Sequence, residues 1–322
     1  MKKKTRVNGS RWATFFAVQE MKVQVHDVDR TIESEGGIMK RKVDLREPVI
    51  RKKDVLILED RYFKPANVCI VTGAASGIGR ATTLAMAANG VKVLCADVDE
   101  AGGEATVKMA QKSGGHAQFF KVDLTRDDQM EACVAQAAKL GMIKFLANIA
   151  GIQHIDAIEN FPMAKYDLMQ SIMLRAPFCL AKLVIPHIRK SRDGVGAIGN
   201  MASVHAHITT INKPVYNIVK FGLRGLTQSI AAEGDGKIRS FSISTGFIST
   251  PLALKQIPSQ AEQRGITPEA VVRDVMLGKS RIKEMMTPIE VANLFVFGFS
   301  QHSRFLIGGD LLYDGGIVKT YL

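Results

Sequence analysis

Cysteine is scarce in this chain, and its four copies, Cys69, Cys95, Cys133 and Cys179, are far apart. No two sit at the spacing of a metal ligand pair or a redox pair, so a structural zinc site and a dithiol active site are excluded, and free buried thiols are expected. No metal is expected. Long hydrophobic runs are also lacking: every uninterrupted apolar stretch falls short of the 18 or so residues a membrane-spanning helix needs, although 46% of residues are hydrophobic. No stretch has the ordered charged, apolar and small-residue parts of a secretory leader, so the expectation is a soluble cytoplasmic protein without a membrane partner. A strong block of one charge is absent too. The net charge of +12 is uneven, because residues 1–64 hold 16 lysines and arginines against 10 carboxylates. The basic clusters Met1-Lys-Lys-Lys, Lys40-Arg-Lys and Arg51-Lys-Lys are short and mixed with acids, which fits a solvated surface and no nucleic-acid partner.

The most informative stretch is Val68-Cys-Ile-Val-Thr-Gly-Ala-Ala-Ser-Gly-Ile-Gly79, an apolar run that breaks into glycines. It reads as a buried strand, a tight turn and a helix that continues through the alanine-rich Ala81–Ala88 to Asn89-Gly90. Gly73, Ser76, Gly77, Ile78 and Gly79 would bring backbone N–H groups and a helix N-terminus against a pyrophosphate. The next apolar run ends at Asp97, 18 residues beyond Gly79 and close to the ~20 at which a carboxylate meets the adenosine ribose hydroxyls. That carboxylate repels a 2′-phosphate, and no lysine or arginine occupies 74–76 or 98 to attract one. The expected cofactor is NAD.

Apolar strands then alternate with helical stretches, as in a Rossmann-type, doubly wound parallel α/β sheet. Strands are expected at Asn67–Thr72, Lys92–Ala96, Ala117–Val122, Ile143–Ala147, Val195–Met201, Arg239–Ser244 and Leu306–Leu311, with crossover helices at Gly102–Lys112 and Asp128–Lys139. A further helical stretch starts near Lys165, contains Pro177 and ends near Pro186, and Pro288 opens another that runs to about Ser300. Asp123-Leu124 and Asn148-Ile-Ala-Gly151 follow the third and fourth strands, on the edge where ligands bind in open sheets. Residues 1–62 form a basic extension ahead of the 63–322 domain. Its alternating stretches Lys22-Val-Gln-Val-His and Asp54-Val-Leu-Ile-Leu could be strands added to the core or to a neighbouring subunit.

Ser203 lies at a strand end, and Tyr216 and Lys220 are one helical turn apart on one face. Tyrosine, with a pKa of ~10, is a poor base at neutral pH, and an ammonium nearby favours the phenolate. Tyr216 can then take the proton of an alcohol while hydride leaves, Ser203 holding the substrate oxygen.

Thr72-Gly-Ala-Ala-Ser-Gly-Ile-Gly, Asn148-Ile-Ala-Gly, Ser203 and Tyr216-Asn-Ile-Val-Lys220 resemble the short-chain dehydrogenase/reductase family over roughly residues 64–322. The resemblance implies Ser203, Tyr216 and Lys220 as catalytic residues. It implies NAD contacts from the glycine turn, Asp97, Asp123, Leu124, Asn148, Ala150, Gly151, Tyr216 and Lys220, with Gly246, Ile248 and Thr250 after the sixth strand. Ala150-Gly-Ile-Gln-His, Ala202-Ser-Val-His, Lys213 and Thr250-Pro-Leu-Ala-Leu-Lys-Gln-Ile are similar to members acting on short 3-hydroxy acids. By that resemblance Gln153, Ser203, His205, Lys213 and Gln256 bind the substrate, with D-3-hydroxybutyrate and acetoacetate as the specific expectation and a larger or cyclic alcohol as the alternative. It also implies a homo-oligomer, a tetramer in many members, and a mobile substrate loop across Leu252–Lys283. The chain departs from the family pattern at Met173, where a helix asparagine of the proton relay is usual. It departs again at Thr245, where proline is usual, and at Phe247 and Ile317, which are tryptophans in the hydroxybutyrate-oxidising members.

Overall fold

The computed structural model describes residues 46–320. Seven parallel strands form one sheet in the order β3-β2-β1-β4-β5-β6-β7. The strands are β1 (Asn67–Thr72), β2 (Lys92–Asp97), β3 (Ala117–Lys121), β4 (Met142–Asn148), β5 (Gly196–Met201), β6 (Ile238–Thr245) and β7 (Asp310–Tyr313). β1, β5 and β6 are buried at every residue because helices cover both faces, which is why they appear in the sequence as continuous rather than alternating apolar runs. Along β1, Cys69 and Val71 enter one core layer with Met86, Phe241, Phe295 and Phe299, while Val68 and Ile70 enter the other with Leu146, Leu180 and Val184. Cys69, Cys95 and Cys133 are free thiols in these layers, with burial pushing each pKa up; Cys179 is also free and half-buried.

Helix α1 (Gly77–Ala88) follows β1, α2 (Glu100–Lys112) follows β2 and α3 (Asp127–Leu140) follows β3. α4 (Met163–Gln170) and α5 (Ala176–Lys190) join through a π-helical turn at Ser171–Arg175 into one continuous rod. This rod is long and apolar enough to span a membrane on length and composition, but its inner face, with Ala176, Leu180, Ala181, Val184 and Ile188, packs into the sheet's core layer. It passes through Pro186 and ends only at Lys190, because Pro186 is exposed and the carbonyl it frees can turn to water. α6 (Pro214–Glu233) follows β5, and α10 (Pro288–Phe299) precedes β7.

Three expectations need correction. β7 begins at Asp310 rather than Leu306, because Leu306–Gly309 turns, with Gly308 at φ +73°, before the ladder to β6 forms. The 252–283 segment is not a bare loop. It folds into α7 (Pro251–Leu254), α8 (Gln256–Arg264), α9 (Pro268–Ala270) and a π turn at Val271–Met276, with its own apolar cluster of Leu254, Ile257, Ala261, Val271, Met276 and Leu277. Asp54–Leu58 is not a strand. It is a 3-10 turn (Lys52–Asp54) and an irregular segment whose backbone is held by side-chain amides: Asn293 accepts from Leu56 N–H, while Asn89 accepts from Leu58 N–H and donates to the Leu56 carbonyl. Leu56, Leu58, Tyr62 and Phe63 pack on the core, so this part of the extension belongs to the domain. The alternating stretch at Lys22–His26 lies outside the described residues.

Asn89→Ala should cost about 2 kcal/mol in urea unfolding, since Leu56 and Leu58 lose buried partners. Limited proteolysis should then cut near residue 57; unchanged stability and cleavage would contradict this clamp.

Candidate active site

The C-terminal ends of the strands surround a cavity of about 470 Å³. β1 ends in Thr72, whose hydroxyl accepts from the N–H groups of Ile149 and Ala150 and donates to the Ala147 carbonyl, tying the turn to the end of β4. A Cβ on Gly73 (φ +68°) would lie 2.8 Å from Ala150 Cα, and one on Gly79 would lie 2.0 Å from the Gly73 carbonyl oxygen. Side chains at these two positions would force the strand, the turn and the helix apart. The bare backbone so formed is a cradle of the kind a dinucleotide pyrophosphate occupies. Asp97, at the end of β2, accepts from Ala75 N–H at 2.9 Å and from Asp99 N–H at 3.0 Å, which holds its carboxylate on the cavity wall.

Two residues on this wall's outer side had no signal in the sequence. Glu47 accepts from Gly77 N–H at 2.7 Å and pairs with Arg80 at 3.2 Å. Arg80 also donates to the Ala75 carbonyl and to Thr106. The contact spans 30 residues of chain, and neither residue belongs to a motif, so only the fold reveals it.

β4 leads to Ala150 and Gly151 on the wall, whereas Asn148 sits behind it, donating to Asn200 with its own Oδ1 buried and unpartnered. Asp123 and Leu124 line the far side; Thr125 donates twice to Asp123, holding that carboxyl below its usual range. Gly246, Ile248 and Thr250 line the opposite rim. Thr245 lets β6 run one residue further than a proline would, paired with Tyr313.

Ser203 caps the 3-10 turn Val204–Ala206 after β5, and the first two turns of α6 carry Tyr216 and Lys220. Burial pushes the Tyr216 phenol up to about 12, against the lowering effect of its hydrogen bond with Ser203. The expected lowering by lysine is therefore not the dominant influence here. Lys220 Nζ lies 5.3 Å from the Tyr216 ring centre and donates to the Met201 carbonyl at 2.7 Å, and burial pushes it down to about 8. The pair is a phenol that resists ionising beside a lysine that resists protonation, in a low-dielectric wall where each charged form stabilises the other.

Gln153, His205, Lys213 and Gln256 also line the cavity. Gln153 Oε1 is buried without a partner, and Gln256 donates to the Leu252 carbonyl. Both ring nitrogens of His205 are taken, Nδ1 by Ser203 at 3.2 Å and Nε2 by Thr210 at 3.0 Å, and burial with two lysines nearby lowers the imidazole to about 4. Lys213 is largely buried, its Nζ lies 5.9 Å from the Phe247 ring, and no carboxylate among the described residues reaches ion-pair distance. Phe247 is on the wall, whereas Ile317 lies behind Gly246, outside the cavity.

Residues 73–318 match the family described as enoyl-(acyl carrier protein) reductase. The chain belongs to the short-chain dehydrogenase/reductase family and is an oxidoreductase of that family. It is 32% identical over 251 residues to a D-beta-hydroxybutyrate dehydrogenase of Rhizobium meliloti, covering 77% of this chain and 96% of that protein. It is 31% identical to a 3-oxoacyl-(acyl-carrier-protein) reductase of Thermotoga maritima, covering 78% of this chain and 97% of the relative. A short-chain type dehydrogenase/reductase from Mycobacterium marinum superposes with a TM-score of 0.71 at 25% identity, over 80% of this chain and 98% of that one.

Lys220→Met tests the cost of the buried ammonium. A pKa of about 8 against 10.5 unfolded means the charged lysine destabilises the fold by ~3 kcal/mol below pH 8. That penalty fades from pH 8 to 10.5. The variant should thus gain about 2 kcal/mol at pH 7, after losing its bond to Met201, and the gain should vanish by pH 10.5. A pH-independent difference would contradict the assignment.

Proposed function

We propose that this chain is an NAD-dependent dehydrogenase interconverting a short 3-hydroxy acid and its 3-keto acid, with D-3-hydroxybutyrate and acetoacetate as the best-fitting pair. The observation that carries the substrate class is Lys213, a largely buried cation without a carboxylate partner among the described residues, on the same wall as Ser203 and Tyr216. Such a cation is costly unless an anion joins it. A hydroxy acid supplies a carboxylate for Lys213 and the Gln153 amide, leaving its hydroxyl to Ser203 and Tyr216.

The glycine cradle and Asp97 would hold the dinucleotide, and the bound nicotinamide supplies the hydride acceptor. NAD is favoured over NADP because the Asp97 carboxylate faces the cavity and Arg80, which reaches the turn, is already paired with Glu47 and the Ala75 carbonyl. In the chain's own chemistry, Ser203 holds the substrate oxygen and Tyr216 takes its proton as the hydride leaves carbon. Lys220 compensates the phenolate charge. Phe247, smaller than tryptophan, supports a second reading in which a longer acid is accepted.

NADH formation with NAD and D- or L-3-hydroxybutyrate at mildly alkaline pH tests this. Turnover of the D form, slowed at least roughly a hundredfold by Tyr216→Phe, is expected, and NADP should be a poor replacement. Absence of turnover by a protein that binds NAD would overturn the substrate, and undiminished turnover by Tyr216→Phe would overturn the base.

A further inference from the structure

Tyr216 must pass on each proton it collects, and the surroundings close one side of the site. Met169, Met173, Val215 and Val219 form a buried apolar cluster against which Tyr216 packs. Met173 lies in the π turn between α4 and α5, with its sulfur 3.5 Å from where a Gly151 Cβ would be. A thioether there neither donates nor carries a proton. Lys220 is buried on the Met201 carbonyl.

The other side is polar and continuous. Ser203 is hydrogen-bonded to Tyr216 and lies 3.2 Å from His205 Nδ1, and His205 Nε2 lies 3.0 Å from Thr210 Oγ1. His205 is buried and its ring stands edge-on to Tyr216, with centres 5.4 Å apart, whereas Thr210 is exposed. Asn217 donates to the Thr210 carbonyl and fixes this loop on α6. The imidazole is the one buried group that spans the distance from Ser203 to solvent-facing Thr210.

We propose that the proton taken up by Tyr216 leaves the site through Ser203, His205 and Thr210. The proposal rests on Tyr216 being the base. The alcohol O–H bond breaks and a phenol O–H forms at Tyr216. The phenol gives its proton to Ser203 Oγ as the serine proton moves to His205 Nδ1. The Nε2 proton passes to Thr210 and on to water. The ring then flips to restore its tautomer, and ketone reduction runs the chain inward. A neutral imidazole can do this because it accepts at one nitrogen and donates at the other.

Thr210→Val, a change at an exposed position outside the cavity wall, should lower kcat with D-3-hydroxybutyrate roughly tenfold while leaving KM and NAD affinity unchanged. Thr210→Ser should restore the rate, and added imidazole buffer should partly rescue Thr210→Val. Introducing Met173→Asn into Thr210→Val, which places an amide on the closed side, should also recover turnover. A kcat equal to the parent's, or a loss confined to KM, would overturn the relay. A second readout does not depend on turnover: in protein labelled with ¹⁵N-histidine, solvent exchange of the His205 Nε2 proton should be at least several-fold slower in Thr210→Val. If the parent protein fails to oxidise hydroxybutyrate, the substrate reading falls and this exchange rate still decides the relay, equal rates overturning it.

Discussion

The closest packing in the site is backbone against backbone: the turn after β1 presses on the end of β4 and on the start of its own helix. Thr72 donates one proton and accepts two at this junction, and Gly73 and Gly79 leave no room for a Cβ. β1 lies in the middle of the sheet, so this contact sets the height at which β2, β4 and β5 deliver their loops. Asp97, Gly151 and Ser203 line one cavity because these strand ends are level. A wider turn would lower the glycine N–H groups away from the wall that Asp97 and Tyr216 define.

Electrostatics then makes the cavity reactive. Lys213 and Lys220 are both buried without a carboxylate partner among the described residues, and together they lower the His205 pKa. The charge they lack must be brought in or created there. A substrate carboxylate meets the first need, and the Tyr216 phenolate formed during the reaction meets the second. The same burial that makes these groups costly to the fold makes each compensating negative charge strongly favoured. The outer face differs: Arg80 is neutralised by Glu47 before any ligand arrives.

Much of the frame is readable from the residues alone. Strands covered on both faces are unbroken apolar runs, so β1, β2, β4, β5 and β6 differ from their expected limits by at most a residue at either end. The reading fails where tertiary contacts override local pattern. Leu306–Gly309 is apolar enough for a strand but carries a left-handed glycine, and Asp54–Leu58 alternates like a strand but spends its backbone bonds on Asn89 and Asn293. The apolar cluster within 251–277 could not be seen in a polar stretch broken by two prolines. Of the expected site residues, all but Asn148 reach the cavity wall. The pairings were not legible: that His205 spends both nitrogens on Ser203 and Thr210, or that Glu47 caps Gly77, depends on contacts no spacing encodes.

The most direct measurement compares kcat/KM for D-3-hydroxybutyrate and for its neutral methyl ester in the parent protein and in Lys213→Met. If Lys213 is the anion anchor, the variant loses roughly 30- to 100-fold on the acid, about 2–3 kcal/mol, and almost nothing on the ester. An equal loss on both, or none on the acid, would contradict a site built around a buried, unpaired cation.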